Sequence, residues 1–266
     1  MNTSDIMLSN YEKSSTPLVS VIIPFYNRTE LTFRAIKSVL DQNYPAVEII
    51  VVNDGSTDCI QNLINFLNGI DNVIYIALSV NSGPAKARNA GIEVATGLFL
   101  AFLDSDDTWA EQKLAYQVRI MLSEGWKFSH TSYWRHNTQS GRQTLKHSGV
   151  LNYFFPMPVF HCGIATPTVL VEKAALGEMR FPENIRVGED TLLWLEMSKH
   201  FALHGIDCPL TTVYVGKNTT ALNAKLRIEA LSVGKQALIG YKFYLVIHAV
   251  YRVAKHLQFK LMFLFK

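Results

Sequence analysis

The sequence predicts an α/β chain built on a doubly wound, mostly parallel sheet. Three observations predict it. Four short apolar runs alternate with helical patterns over residues 19–123. The loops between them are short, as parallel strands joined by helical crossovers require. Each apolar run also ends in polar residues, and the carboxyl ends of strands are where open parallel sheets bind ligands.

Residues 19–25 (VSVIIPF) form the first run, continuous and rich in β-branched residues, so it reads as a buried strand. Asn27 or Thr29 is placed to cap the helix over 30–42, where Leu31, Ala35, Val39 and Leu40 share a face. Residues 47–52 (VEIIVV) read as the second strand, followed by NDGSTD and a helix over about 58–67. Residues 73–78 read as the third strand, then NSGP and a helix over 85–95. Residues 98–103 read as the fourth, followed by DSDD and a helix over 111–123. Beyond residue 126 the alternation weakens, leaving strands at 128–134 and 168–171 and a helix at 192–200.

The chain has 266 residues, 48% hydrophobic and 18% charged, enough for a sizeable core. Three separated cysteines, Cys59, Cys162 and Cys208, read as reduced thiols of a cytosolic protein. Residues 1–17 read as a flexible leader without a secretory h-region, and no apolar run reaches the roughly 20 residues of a membrane span. From Lys225 to Lys266 there are eight Lys/Arg against one acid, Glu229, although the whole chain is only +3. On a helical wheel Lys235, Lys242, Arg252 and Lys255 face away from Phe243, Ile247, Val250 and Leu261. This pattern suits either an anionic membrane surface or packing on the preceding domain, and no nucleic-acid module accompanies it.

Asn27, Asn53 with Asp54, Asn81 with Gly83, and Asp104 with Asp106 fall at the four strand ends, on one sheet edge. No G-x-G-x-x-G and no G-x-x-x-x-G-K-[ST] is present, which argues against a nicotinamide dinucleotide site and a P-loop. A carboxylate-rich edge binds a phosphorylated ligand through a bridging cation. Few hard oxygen ligands suit Mg²⁺ or Mn²⁺, with diphosphate oxygens completing the shell. Asp107 reads as a solvated acid at a helix N-terminus. His200 and His204 lack the third ligand of a zinc site.

Five stretches, VSVIIPFYNR, VVNDGSTD, NSGPAKARNAGI, FLDSDDTW and GEDTLLWL, resemble in order and spacing the family 2 glycosyltransferases, inverting enzymes of the GT-A fold. The resemblance covers residues 18–200. It implies a GT-A domain over 18–220, with a nucleotide-binding half (18–110) and an acceptor half (111–220). Residues 221–266 then form a C-terminal helical extension. It implies that Asp54 hydrogen-bonds uracil, Arg88 contacts the nucleotide, Asp104 lies near the ribose, and Asp106 ligates the metal, Mn²⁺ or Mg²⁺. Pro24, Tyr26, Arg28 and Ser105 belong to the same nucleotide-sugar motifs. Asp190 resembles the general base, with Glu189 beside it to raise its pKa, facing the sugar from the side opposite the metal. Lys217 stands near the position of a diphosphate-binding cation in many relatives. The implied activity is transfer of glucose or galactose from a UDP-sugar to a glycan on a polyprenyl diphosphate, in bacterial surface-polysaccharide synthesis. The enzyme would work in the cytoplasm, peripheral to the membrane. The rival readings are a sugar-nucleotide nucleotidyltransferase and a non-catalytic sugar- or membrane-binding relative.

Overall fold

The computed structural model describes residues 16–150, 163–185 and 187–216. The expected leader and the basic tail, with Cys162 and Lys217, lie outside the described residues, apart from residues 16 and 17 of the leader. The first strand is β1 (Val19–Phe25), every residue of it buried. Helix α1 (Thr29–Leu40) leads to β2 (Val47–Asn53), α2 (Gln61–Leu67) to β3 (Val73–Ala77), and α3 (Pro84–Val94) to β4 (Phe99–Phe102). These strands run parallel in the order β3-β2-β1-β4, with Val19 opposite Val47 on one side and Phe99 on the other. The winding direction reverses between β1 and β4, so a crevice opens above that pair.

Alternation along β1 divides the core. Ile22 packs with Ile50, Val52, Ala87 and Ile92 of α3 on one face, and Val21 and Ile23 pack with Ala35, Ile36 and Leu63 of α1 and α2 on the other. α3 lies close because Gly91 has no Cβ; one built there would sit 2.5 Å from Ile22.

The second half departs from a parallel sheet. After β5 (Thr108–Trp109) and α4 (Lys113–Glu124) come β6 (Phe128–Asn137), β7 (Gln143–Lys146), β8 (Leu170–Glu172) and the one-turn α5 (Lys173–Leu176). Helix α6 (Glu189–Ser198) and β9 (His204–Val215) complete the described fold. β8 is antiparallel to both β4 and β6, whereas β6 and β9 are parallel with a register shift at Thr131–Tyr133. The result is one mixed sheet among the described residues, in the order β3-β2-β1-β4-β8-β6-β9-β5.

Three local expectations are corrected. Neither Asn27 nor Thr29 caps α1: its N-cap is Arg28, without a side-chain cap. On the same helix the buried face is Thr32, Ala35, Ile36 and Val39, while Leu31 and Leu40 are exposed, because the sheet meets the helix about one position round from the expected stripe. The second helix starts at Gln61 rather than near Asp58, whose carboxylate instead accepts from the Thr29 hydroxyl at 2.8 Å. His200 is exposed and His204 stacks on Trp126 with centroids 4.2 Å apart.

Candidate active site

The site is assembled by loops that bond to one another. Asn27, just past β1, takes φ 49°, which a short amide side chain tolerates. Its Oδ1 accepts the N–H groups of Thr57 at 2.8 Å and Asp58 at 3.3 Å, binding the loop after β1 to the loop after β2.

Asp54 is 3% exposed. Its two oxygens accept the N–H groups of Ser82 and Gly83, each at 2.8 Å. Gly83 is the N-cap of α3 and has no side chain to offer, so Asp54 caps that helix from a neighbouring loop, where the helix dipole favours an anion. The close approach needs Gly55: at φ 69°, a Cβ there would lie 2.5 Å from the Val80 carbonyl carbon. Sequence reading expects Asp54 to contact uracil; the structure adds this loop-holding role. Beside it, Asn53 accepts from the Ser56 N–H and donates to the Tyr75 hydroxyl.

One turn along α3, Arg88 is 4% exposed. Its Nη2 lies 2.6 Å from Asp104 Oδ1 and its Nη1 3.0 Å from Glu189 Oε1. Burial alone would weaken Arg88 as a cation, but Asp104, Glu189 and Asp190 together hold it firmly charged. Glu189 is pushed up by burial and by Asp190, with Arg88 opposing. The two shifts are compatible: one guanidinium feels three acids, and each acid receives only a share of it.

The acid loop follows β4. Asp106 Oδ2 lies 2.6 Å from Arg28 Nη1, across the crevice between β4 and β1. The backbone carbonyl of Asp106 accepts from Arg34 of α1, whose guanidinium also lies 4.0 Å over the Tyr214 ring of β9. Burial first and Asp104 second push Asp106 up, against Arg28 and Arg34. Asp107 is no solvated helix-end charge: it is 3% exposed and accepts the Tyr214 N–H at 2.9 Å. Burial and the two neighbouring acids push it well up. Ser105 is buried within this loop, Pro24 is buried in β1, and Tyr26 is exposed just beyond it.

Asp190 stands in the first turn of α6, beside Glu189. Its Oδ2 accepts the Thr166 hydroxyl at 2.9 Å and its Oδ1 the Thr191 N–H at 2.6 Å. Glu189 is buried on Arg88, whereas Asp190 is half-buried and so the more exposed of the two carboxylates. The expected residues thus gather at one sheet edge, with Arg88 joining the acid loop to α6. Arg34, Thr166 and Tyr214 join the site from outside the expected motifs. Arg34 reads as an ordinary helix cation until the position of β9 is known.

Among the described residues no group of three or more His, Cys, Asp and Glu could hold a metal alone. The donor set nevertheless suits a hard cation. Three acids crowd one loop, and Asp106 and Asp107 both hold protons more tightly than an ordinary Asp. Mg²⁺ or Mn²⁺ is commonly held by one or two carboxylates plus phosphate oxygens and water.

This site lies in a chain that belongs to glycosyl transferase family 2, whose family model matches residues 20–171. An uncharacterized glycosyltransferase of Rickettsia bellii (strain RML369-C) is 44% identical over 207 residues, 77% of this chain. The match spans only 30% of that relative's length, so the chain corresponds to about a third of it. The Escherichia coli UDP-Glc:alpha-D-GlcNAc-diphosphoundecaprenol beta-1,3-glucosyltransferase WfaP is 30% identical, over 81% of this chain and 79% of WfaP. The fold is GT-A. Staphylococcus aureus TarS 1-349 in complex with UDP-GlcNAc superposes with TM-score 0.65 at 21% identity, over 78% of this chain and 61% of TarS. The mannosyltransferase PcManGT of Pyrobaculum calidifontis, in complex with GDP-Man and Mn²⁺, gives 0.65 at 17% identity, over 88% and 70%.

Proposed function

We propose that this chain is an inverting hexosyltransferase, moving glucose from UDP-glucose to a hydroxyl of a glycan carried on a lipid diphosphate. The observation that carries the reading is Arg88, bonded at once to Asp104 of the acid loop and Glu189 of α6. That bridge keeps the nucleotide-side acids and the candidate base in one rigid unit. The activity for which WfaP is named supports glucose over galactose and a lipid-linked acceptor.

In this reading the acceptor oxygen attacks the anomeric carbon in line, the bond to the diphosphate oxygen breaks, and UDP leaves. Asp190 takes the acceptor proton. Arg28, partly exposed, is the cation available to the diphosphate, and Asp54 and Arg88 shape the nucleotide side through the loops they hold. Asp106 would hold the divalent ion, with Asp104 toward the ribose; when bound, the ion supplies charge stabilisation for the departing diphosphate. Family membership speaks against the nucleotidyltransferase alternative. The basic segment 225–266 would bring the enzyme to the anionic membrane surface that carries the acceptor.

The test is UDP release from UDP-glucose with a GlcNAc-diphosphate-lipid acceptor, with Mn²⁺ or with EDTA, and linkage analysis of the product. Acceptor-dependent release with inverted product carries the reading. Donor binding without turnover would return the chain to the non-catalytic class.

A further inference from the structure

The short turn Thr166–Thr168 lies between the acid loop and α6, and it is anchored from three elements. The Pro167 carbonyl accepts the Trp109 indole N–H at 2.8 Å and the Thr211 hydroxyl at 3.2 Å. The Thr168 carbonyl accepts from Gln117 of α4 at 3.1 Å. All these anchors use backbone carbonyls. The Thr166 side chain takes no part in them; its hydroxyl points to Asp190 Oδ2, 2.9 Å away, from a residue only 4% exposed.

We propose that Thr166 is a positioning residue for Asp190, fixing the carboxylate plane in which the acceptor proton is received. The proposal rests on the reading of Asp190 as the base. A carboxylate on a short side chain still rotates about its last bond. Here one oxygen is held by the Thr191 N–H and the other by the Thr166 hydroxyl, so the rotation is stopped from both sides. Each oxygen has two acceptor sites, which leaves Oδ2 one further lone pair for the incoming hydroxyl. Thr166 keeps its own proton throughout; it orients and does not transfer. The charged groups around Asp190 are Glu189 on the same helix and Arg88 from α3, and neither donates to the oxygen that Thr166 holds. Trp109 directly follows the acid loop and anchors the same turn, so the donor side and the base share one support.

The experiment compares Thr166→Val, Thr166→Ala and Thr166→Ser in the full chain, with UDP-glucose and a GlcNAc-diphosphate-lipid acceptor at saturation. Valine keeps the shape and removes the donor. The expected result is a loss of about tenfold in kcat for the valine and alanine variants, the size of one lost hydrogen bond to a charged group. UDP-glucose Kd should stay within about twofold, and serine should restore kcat. The alanine variant carries the test if valine does not fold. Wild-type kcat in the valine or alanine variant overturns the proposal, as does a serine variant that loses as much as valine. A Kd that weakens in step with kcat overturns it too. Asp190→Asn serves as the separate control: wild-type transfer in that variant removes the base reading itself, whatever Thr166 does.

Discussion

The guanidinium of Arg88 stands 3.0 Å from the carboxylate of Glu189, although the two lie on different helices packed on the same face of the sheet. This pair, with Asp104 on the other guanidinium nitrogen, holds α6 against the acid loop. Removing one member of a buried ion pair leaves the others uncompensated and costs about 3 kcal/mol or more. Arg88→Met should therefore lower the thermal midpoint by several degrees and abolish transfer. Arg88→Lys should recover part of the stability, because its single ammonium cannot bond both acids. Thermal denaturation of the three proteins at neutral pH checks this.

Glu189 gives a pH signature. Burial and Asp190 raise it above its ordinary 4.5. The folded chain therefore binds this proton more tightly than the unfolded chain. Stability from this group is fully present below about pH 4.5 and is lost as pH rises through its raised folded value. Glu189→Gln removes the titration and keeps an oxygen for Arg88. The stability of this variant relative to wild type should improve as pH rises above 4.5 and level off once Glu189 ionises in the folded chain, measured by urea denaturation at several pH values. A difference that stays flat over that window would remove the signature.

In the proposed reaction Asp106 holds the divalent ion. Asp106→Asn keeps the size and an oxygen near Arg28 but removes the charge. It should abolish Mn²⁺-dependent UDP release, while the fold survives because only a half-buried acid with raised proton affinity is lost. Mn²⁺ titration in the presence of UDP, followed by electron paramagnetic resonance, should show binding weakened at least tenfold. Full Mn²⁺-dependent turnover would displace the ion from Asp106.

The first half of the fold was legible in the sequence because β1, β2 and β4 are buried on both faces and read as unbroken apolar runs, and β1 matches its predicted bounds residue for residue. The edge residues were legible for the same reason: once the strands are placed, Asn27, Asp54 and Asp104 must follow their carboxyl ends. What each side chain does was not. That Asp54 also holds the start of α3 is visible only once the glycine N-cap of that helix is seen to lack a cap of its own. Asp107 reads as solvated because its partner, the Tyr214 N–H, is more than a hundred residues away in sequence. The second half of the fold was poorly legible because β6 places Ser129, His130, Thr131 and Ser132 in its buried stretch, which breaks the apolar pattern that sequence reading depends on.

Asp54→Ala leaves the N–H groups of Ser82 and Gly83 without their acceptor at a helix N-terminus, a loss of about 1–2 kcal/mol. Asp54→Asn keeps one oxygen and should lose less. If Asp54 acts through the loop, both variants should raise the UDP-glucose KM in proportion to their loss of stability. A large KM effect in a fully stable asparagine variant would restore a direct contact with the base ring.

The last prediction concerns Lys113, which is 0% exposed at the start of α4, with no hydrogen-bond partner for its ammonium. The ammonium lies 4.1 Å over the Trp109 ring, a contact that favours the charged form. Burial outweighs it, because a cation–π contact is worth about 2 kcal/mol and the desolvation of an ammonium several. Lys113 is accordingly lowered to about 7, from an ordinary 10.5. Between those values the unfolded chain binds the extra proton, so stability rises with pH across the window, and below it the folded chain carries the full cost of a buried charge. Lys113→Met keeps the volume and removes the charge. It should raise the thermal midpoint more at pH 6 than at pH 9, and differential scanning calorimetry at the two values decides it. An equal gain at both would mean that the buried amine does not titrate in this range.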